Sequence, residues 1–450
     1  MNNQKKKIDQ KIFKGKVVDY SHDGRGVIKI NKNVIFVPNL LIGEEASIKI
    51  TKENKNFKIG QVQERITTSP ERVIPKCQYF DLCGGCQLQH MSYKHQLEMK
   101  HLRVKNALQH ISKLYLKIDP IIPSSYETKY RNKIQMSFSN NGKDLICGFY
   151  KQKTQNIIQI NECLIEHPEG NTIIQSLRKL LQSYNFKAYD PISKKGWIKY
   201  AIVKKGVFTN QIMLVIVSND KMFRKEKQIV NELLQRHKNI NTIIHHNSNS
   251  NYHTLGGESR VIYGEGYIYD EIKNYKFRIT PESFYQVNPY QAVKLYDEAI
   301  KVLNPKKGDL VLDAYCGVGT ISLLISKKVH KVFGVDNIKE AIEDAKVNSK
   351  LNESSNCEFI CEKASIYLEN SKIKFNSIIV DPPRDGLKSN FINALIINLP
   401  EKILYISCEP SSLARDLKQL KKYYIISKVL PVDMFSQTYH VETITLLIRK

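Results

Sequence analysis

From about residue 271 onward, short apolar runs alternate with stretches of helical periodicity. The apolar runs fall at 310–313, 331–336, 377–381 and 403–407, with helical patterns at 319–326 and 339–349. Parallel strands need long crossovers, usually helices, so this alternation leads to a parallel sheet covered on both faces. A doubly wound, Rossmann-like α/β domain is therefore expected over residues 271–450. In such a sheet ligands bind beyond the carboxyl ends of the strands, so the residues that follow each run are where function is sought.

The first run ends in Asp313-Ala314-Tyr315-Cys316-Gly317-Val318-Gly319-Thr320 and opens a helix rich in Leu and Ile. Gly317 and Gly319 permit a tight turn and a close approach of backbone to ligand. Asp336 lies 23 residues beyond Asp313, at the end of the next run, where a carboxylate can accept ribose hydroxyls. The third glycine of a dinucleotide fingerprint is missing, so a nucleoside without pyrophosphate is the expected ligand. S-adenosylmethionine is such a molecule.

Two further run ends share that edge. Asp381-Pro382-Pro383-Arg384-Asp385-Gly386 leaves a strand through two prolines, which fix φ and pre-shape the loop. An ordinary strand-ending turn would look similar, but loops of this kind in methyltransferases present the acceptor to the donor. Ser407-Cys408-Glu409-Pro410 places a cysteine just past another strand. A lone cysteine is more often a buried structural residue than a nucleophile.

At the front, residues 13–19, 27–30, 34–37, 46–50 and 58–63 read as five short strands, with a tight turn at Ser21-His22-Asp23-Gly24-Arg25-Gly26. That spacing suits a small OB-like barrel, expected over residues 7–66. The chain carries 69 Lys+Arg against 44 Asp+Glu, a net +25, and its first 70 residues hold 14 basic and 7 acidic side chains. Such a surplus points to a polyanionic partner, nucleic acid above all. The strand pattern resembles the TRAM module, a barrel that brings RNA to modification enzymes. No apolar run approaches the ~18 residues of a membrane helix, so no membrane partner is expected. The opening Lys5-Lys6-Lys7 has no apolar segment behind it, so a cytoplasmic protein without a signal peptide is expected.

Between these parts, residues 67–270 suggest an α+β middle domain. A helix is expected over 92–110, with Leu97, Leu102, Val104 and Leu108 facing inward. An Asn/Ser-rich loop is expected over 247–251, and His245-His246 is placed on a loop or the surface. Three of the nine cysteines, Cys77, Cys83 and Cys86, fall within ten residues. An odd, clustered set argues against a secreted disulfide scaffold and for a metal or cluster site. Cys163 could add a fourth thiolate; four cysteines suit either zinc or a four-iron four-sulfur cluster, and spacing does not decide. Cys147, Cys357 and Cys361 are expected to be structural.

Taken together, the 381–386 loop, Leu404-Tyr405-Ile406-Ser407-Cys408, Phe284-Tyr285-Gln286-Val287-Asn288 and the 432–442 tail resemble the RNA uridine-5-methyltransferases. The resemblance extends over essentially the whole chain. It implies Cys408 as nucleophile, Glu442 as general base and Asp381 between donor and acceptor. It implies Gln286, Tyr315 and Asp336, beside Gly317 and Gly319, as holders of S-adenosylmethionine. A subset of the family carries Cys-x5-Cys-Gly-Gly-Cys, which implies a 4Fe-4S cluster on Cys77, Cys83, Cys86 and Cys163. The chain departs from the family pattern at Glu409, Ser412 and Ser436, where Asn, Thr and Pro are usual. An acid beside the thiol is expected to hinder thiolate formation. The expected activity is methylation of carbon 5 of a uridine, in 23S rRNA as leaned to by the cluster motif, by a monomer. The alternatives are a tRNA T-loop uridine, a base nitrogen, or RNA binding without catalysis.

Overall fold

The computed structural model describes residues 12–450 except 31–32, 153 and 249–254. The first residues of the expected 7–66 span and much of the Asn/Ser-rich loop lie outside the described residues.

Strands β1 (Ile12–Tyr20), β2 (Gly26–Ile30), β3 (Asn33–Val37), β4 (Glu45–Glu53) and β5 (Lys58–Arg65) close into a barrel, in the order β1-β2-β3-β5-β4. Strand alternation turns Val17, Ile28, Ile35, Val37, Ile48 and Ile50 inward. Glu44, fully buried, accepts from Arg72 Nε and Nη2 at 2.6 and 2.7 Å and ties the barrel to the segment leading to the cysteines.

Ser92 then caps helix α1 (Tyr93–Ala107), accepting from the His95 N–H at 3.2 Å. Of the four expected inner residues, Val104 and Leu108 are buried, while Leu97 and Leu102 are only half-buried. Gln96, Met99, Lys100 and Arg103 are buried in their place. The stripe is mixed because Met99, Val104 and Leu108 join apolar clusters while Gln96, Lys100 and Arg103 hydrogen-bond to residues 433–439.

The middle of the chain forms β6 (Lys133–Asn141), β7 (Asp144–Tyr150), β8 (Ile157–Gln159), α2 (Pro168–Ser183), β9 (Ile198–Lys205), β10 (Ile212–Ser218), α3 (Glu226–Arg236), β11 (Ile240–Ser248) and β12 (Gly257–Tyr263). Its sheet runs β12-β11-β10-β9-β6-β7-β8 and is covered on both sides. Ala201, Leu214 and Ile216 pack on Leu177 of α2 and Ile229 of α3, whereas Tyr200, Met213 and Val215 join a core shared with the C-terminal part. This corrects the placing of His245 and His246 on a loop or surface. They sit in β11, 2% and 1% exposed, because neither face of that strand meets solvent. His245 stacks on Trp197 and shares a 2.7 Å hydrogen bond with the Ser218 hydroxyl.

A hairpin, β13 (Ile268–Ile272) and β14 (Tyr275–Ile279), and helix α4 (Pro289–Leu303) lead into the last sheet. Its elements are β15 (Leu310–Asp313), α5 (Thr320–Ser326), β16 (Lys331–Asp336), α6 (Lys339–Leu351), β17 (Cys357–Cys361), α7 (Ala364–Asn370), β18 (Ser377–Val380), α8 (Ser389–Asn398), β19 (Lys402–Ser407), α9 (Pro410–Leu420), β20 (Tyr424–Val432) and β21 (Glu442–Arg449). The order is β17-β16-β15-β18-β19-β21-β20, parallel save for antiparallel β21. Strand order reverses between β15 and β18, which opens a crevice at their carboxyl ends. No helix among the described residues is long and apolar enough to cross a membrane.

Candidate active site

Register brings the candidate residues to one edge. Asp313 pairs with Ile379, Val380 with Tyr405, and Ser407 with Thr443 on antiparallel β21. One step beyond these pairs, Asp381 leaves β18, Cys408 leaves β19, and Glu442 begins β21 across from Cys408. Strands that neighbour in space thus gather residues that lie far apart in sequence.

The gathered groups repel each other's charges. Burial raises the pKa of Glu442, which is 4% exposed, and the Asp381 charge raises it further. Burial likewise raises Asp381, with Asp313 adding. The half-buried Cys408 thiol is pushed up to about 12 by burial, then by Glu442 and Asp381, with Arg384 opposing. Two carboxyls and a thiol facing one cation cannot all be ionised, so protons are shared among them.

Sequence reasoning gave no role to Arg384, His440 or Tyr296, all of which face this cluster. Arg384 Nη2 lies 3.3 Å from His440 Nε2, and burial with the Arg384 charge pulls the His440 pKa down to about 4, leaving a neutral ring. Tyr296, buried on α4, has its phenol held protonated by burial and by the charges of Asp381 and Glu442. Only the Arg384 position carried a signal, as the one cation in the 381–386 loop.

The cofactor candidates stand around the crevice. Gly317 has φ +52°, and a Cβ there would meet nothing within 4 Å, so the loop faces open space. Gly319 has φ +84°, and its Cβ would stand 2.9 Å from the Phe359 ring. Asp336 accepts from the Gly317 and Ile338 N–H groups at 3.1 and 3.0 Å, which orients its carboxylate at the end of β16. Asp313 accepts from Ser322 Oγ at 2.6 Å through one oxygen, while its other oxygen is buried without a partner. Burial pushes Asp313 up to about 6. Gln286 is buried and shares a hydrogen bond with Tyr296; Tyr315 is half-buried, edge-on to Phe391. An open glycine turn, an unsatisfied acceptor and a strand-end carboxylate fit a nucleoside ligand with donor groups. Phe284, two residues before Gln286, is 67% exposed.

The four cysteines of the expected cluster are half-buried and free. Cys86 is pushed up to about 11 by burial, with Cys83 and Cys77 adding; burial and Glu166 raise Cys163, with Cys86 adding. The Gly85 N–H donates to Cys83 Sγ at 3.3 Å. The sulfurs share one neighbourhood, yet no group of three or more His, Cys, Asp or Glu among the described residues could hold a metal ion. A zinc site at ~2.3 Å Zn–S would need them gathered tightly. In a 4Fe-4S cluster each thiolate meets a separate iron, which suits a looser set.

The departures from the family pattern are accommodated locally. Glu409 is bound by Arg103, and Ser412 Oγ donates to the Glu409 carbonyl at 3.0 Å. Ser436 is buried and donates to Asp433 Oδ2 at 2.8 Å, bracing its loop with a hydrogen bond where proline would do so with its ring.

A family model described as tRNA (Uracil-5-)-methyltransferase matches residues 92–450. The chain belongs to the RNA uracil-5-methyltransferase family. It is 41% identical, over 94% of its length, to an uncharacterized RNA methyltransferase of Clostridium tetani, 93% of which is covered. A second such protein, from Oceanobacillus iheyensis, is 39% identical with 96% and 95% covered. Among solved structures, the Pyrococcus abyssi tRNA (uracil-54, C5)-methyltransferase in complex with S-adenosyl-L-homocysteine matches at a TM-score of 0.79 and 27% identity, over 97% of this chain and 100% of that one. The protein is an S-adenosylmethionine-dependent RNA methyltransferase of the uracil-5 type.

Proposed function

We propose that this methyltransferase methylates carbon 5 of a uridine in 23S rRNA through a covalent cysteine–uracil adduct. Cys408 is the nucleophile, Glu442 the general base, and Asp381 lies between donor and acceptor. The observation that carries this reading is the pairing of β19 with β21, which sets Glu442 across from Cys408 at the edge where Asp381 emerges.

Carbon 5 of uracil is a weak nucleophile. Addition of the Cys408 thiolate to carbon 6 moves the ring electrons into an enolate, so that carbon 5 becomes carbanion-like. Bound S-adenosylmethionine supplies an electrophilic methyl group on a sulfonium. Carbon 5 takes that methyl, and Glu442 then removes the carbon-5 proton. The freed electron pair restores the 5,6 double bond and expels Cys408 as thiolate. A carboxyl whose pKa is raised by burial is a stronger base than an exposed one, which suits this proton transfer. Gln286, Tyr315, Asp336, Gly317 and Gly319 would hold the cofactor, with Asp381 bordering it. The target base must leave its stack to reach the crevice, and exposed Phe284 offers a ring against which it can rest.

Cys408→Ala is expected to abolish methyl transfer while RNA binding persists; turnover by that variant would point to a ring nitrogen, which needs no thiol adduct. Glu442→Gln is expected to accumulate an enzyme–RNA adduct stable to denaturation.

The choice of 23S rRNA rests on the cysteine motif, and the likeness to the P. abyssi tRNA enzyme favours a second reading, a T-loop uridine. Competition between unmodified rRNA and tRNA for labelled methyl separates the two. Cys77, Cys83, Cys86 and Cys163 are proposed to hold a 4Fe-4S cluster that shapes the RNA-binding surface without redox work. Anaerobically purified protein should be brown with iron and sulfide in equal amounts; a colourless, zinc-bearing preparation would refute the cluster. The barrel is proposed to act as a TRAM-type RNA-binding module.

A further inference from the structure

The buried stripe of α1 reaches both loops that carry the proposed chemistry. Arg103 Nη2 donates to both carboxylate oxygens of Glu409 at 2.8 Å, and its Nη1 donates to the Tyr439 carbonyl at 3.1 Å. The same guanidinium stands 5.3 Å from the centre of the Tyr439 ring. Glu409 directly follows Cys408, and Tyr439 precedes His440 and Glu442 by one and three residues. The Arg103 side chain is 5% exposed and that of Glu409 22%, so this contact is partly shielded from solvent and stronger than a surface ion pair.

Glu409 is held from its own side as well. It accepts from the Ser411 N–H at 3.3 Å as the cap of α9, and its carbonyl accepts from Ser407 and Ser412 hydroxyls at 3.1 and 3.0 Å. The acid that the sequence sets beside the thiol is thus turned onto a cation supplied by a helix outside the α/β sheet. Burial opposes ionisation of Glu409, but Arg103 and the Ser411 N–H outweigh it, so the carboxylate is charged and paired. Among charged groups, Glu442 and Asp381 raise the Cys408 thiol and Arg384 opposes them.

We propose that Arg103 is a positioning residue for methyl transfer: one guanidinium fixes the Cys408 loop against the loop leading to Glu442, and it masks the Glu409 charge from the thiol. This rests on the assignment of Cys408 as nucleophile. Without Arg103, the two loops lose their common anchor and an unpaired carboxylate is left one residue from the sulfur. The groups facing Cys408 would then be Glu442, Asp381 and Glu409 against Arg384 alone, with His440 neutral.

The test is single-turnover methylation of whichever unmodified RNA the wild type accepts, measured against pH on the full-length protein as purified. Arg103→Met should lower the rate constant roughly 10- to 100-fold, as small misplacements of reacting groups do, while affinities for RNA and S-adenosylmethionine hold within about threefold. Its acid limb should move to higher pH by about one unit. Adding Glu409→Gln to Arg103→Met should return the limb without restoring the rate. Arg103→Lys should also return the limb and recover part of the rate, since an ammonium can pair Glu409 but not span to Tyr439 as well. Glu409→Gln alone leaves the Arg103 cation unpaired beside the residue that follows Cys408 and should move the limb down; this variant decides the matter if Arg103→Met does not bind the cofactor. A limb that stays in place in Arg103→Met, or that fails to fall in Glu409→Gln, overturns the proposal. Turnover by Cys408→Ala would instead refute the nucleophile itself, an outcome distinct from either.

Discussion

Lys100→Met tests how the 433–439 loop is held. Lys100 and Asp433 are both fully buried and paired at 2.5 Å, and Lys100 Nζ also donates to the Phe435 carbonyl at 3.0 Å. Methionine keeps most of the stem's volume, so little cavity forms and the cost is electrostatic. Asp433 Oδ2 retains donors from Tyr93 and Ser436 at 2.8 Å each and the Phe435 carbonyl retains the Thr438 hydroxyl at 2.8 Å, but Oδ1 loses its cation. A buried charge left in that state is strongly destabilising, ~3–5 kcal/mol being usual for breaking a buried pair. With an unfolding entropy of ~2.1 cal/mol/K per residue over 450 residues, thermal melts at pH 7 should show a midpoint lowered by roughly 4 °C. Lys100→Met with Asp433→Asn should recover most of the loss. A drop below about 1 kcal/mol would mean that water reaches the pair and the burial argument is wrong.

Two further outcomes follow from the site. Because burial, Glu442 and Asp381 push the Cys408 thiol up, adduct formation should climb with pH from pH 6 until a later step limits it, which gives single turnover its acid limb. Arg384→Met removes the cation that opposes this shift and should slow adduct formation at every such pH, a loss made good by raising pH; an unchanged rate would place Arg384 away from the thiol. Gly386 has φ +74°, and a Cβ there would meet Asp416 Oδ2 at 2.6 Å. Asp416 is already committed to the Leu387 N–H and the Tyr405 hydroxyl, so Gly386→Ala should cost about 1–3 kcal/mol in a melt and displace the 381–386 loop.

Elements with a strong period were legible in the chain. The five barrel strands and the strands at 310–313, 331–336, 377–381 and 403–407 stand close to where alternation and apolar runs placed them. Helix α1 was legible as a helix but not by its face. Periodicity counts apolar side chains, and the face of α1 that packs inward carries Gln96, Lys100 and Arg103 beside Met99 and Val104, because part of its partner is a hydrogen-bonding loop more than 300 residues away. The buried histidines of β11 were hidden for a related reason: a strand covered on both faces buries residues of either parity.

The candidate site divides the same way. Motifs such as Asp313-x3-Gly317-x-Gly319 and Asp381-Pro382-Pro383-Arg384 pick out strand ends, since glycine and proline mark the backbone where they stand. Sequence by itself therefore determined the α/β class, the edge on which the candidate site lies, and the residue types available there. It could not determine what each of those residues faces. Glu409 was the clearest case, for its neighbour in sequence is a thiol and its partner in space is Arg103. Only the tertiary structure decided which charge masks which, because electrostatic interactions depend on distance and burial, and both are set by contacts between segments far apart along the chain.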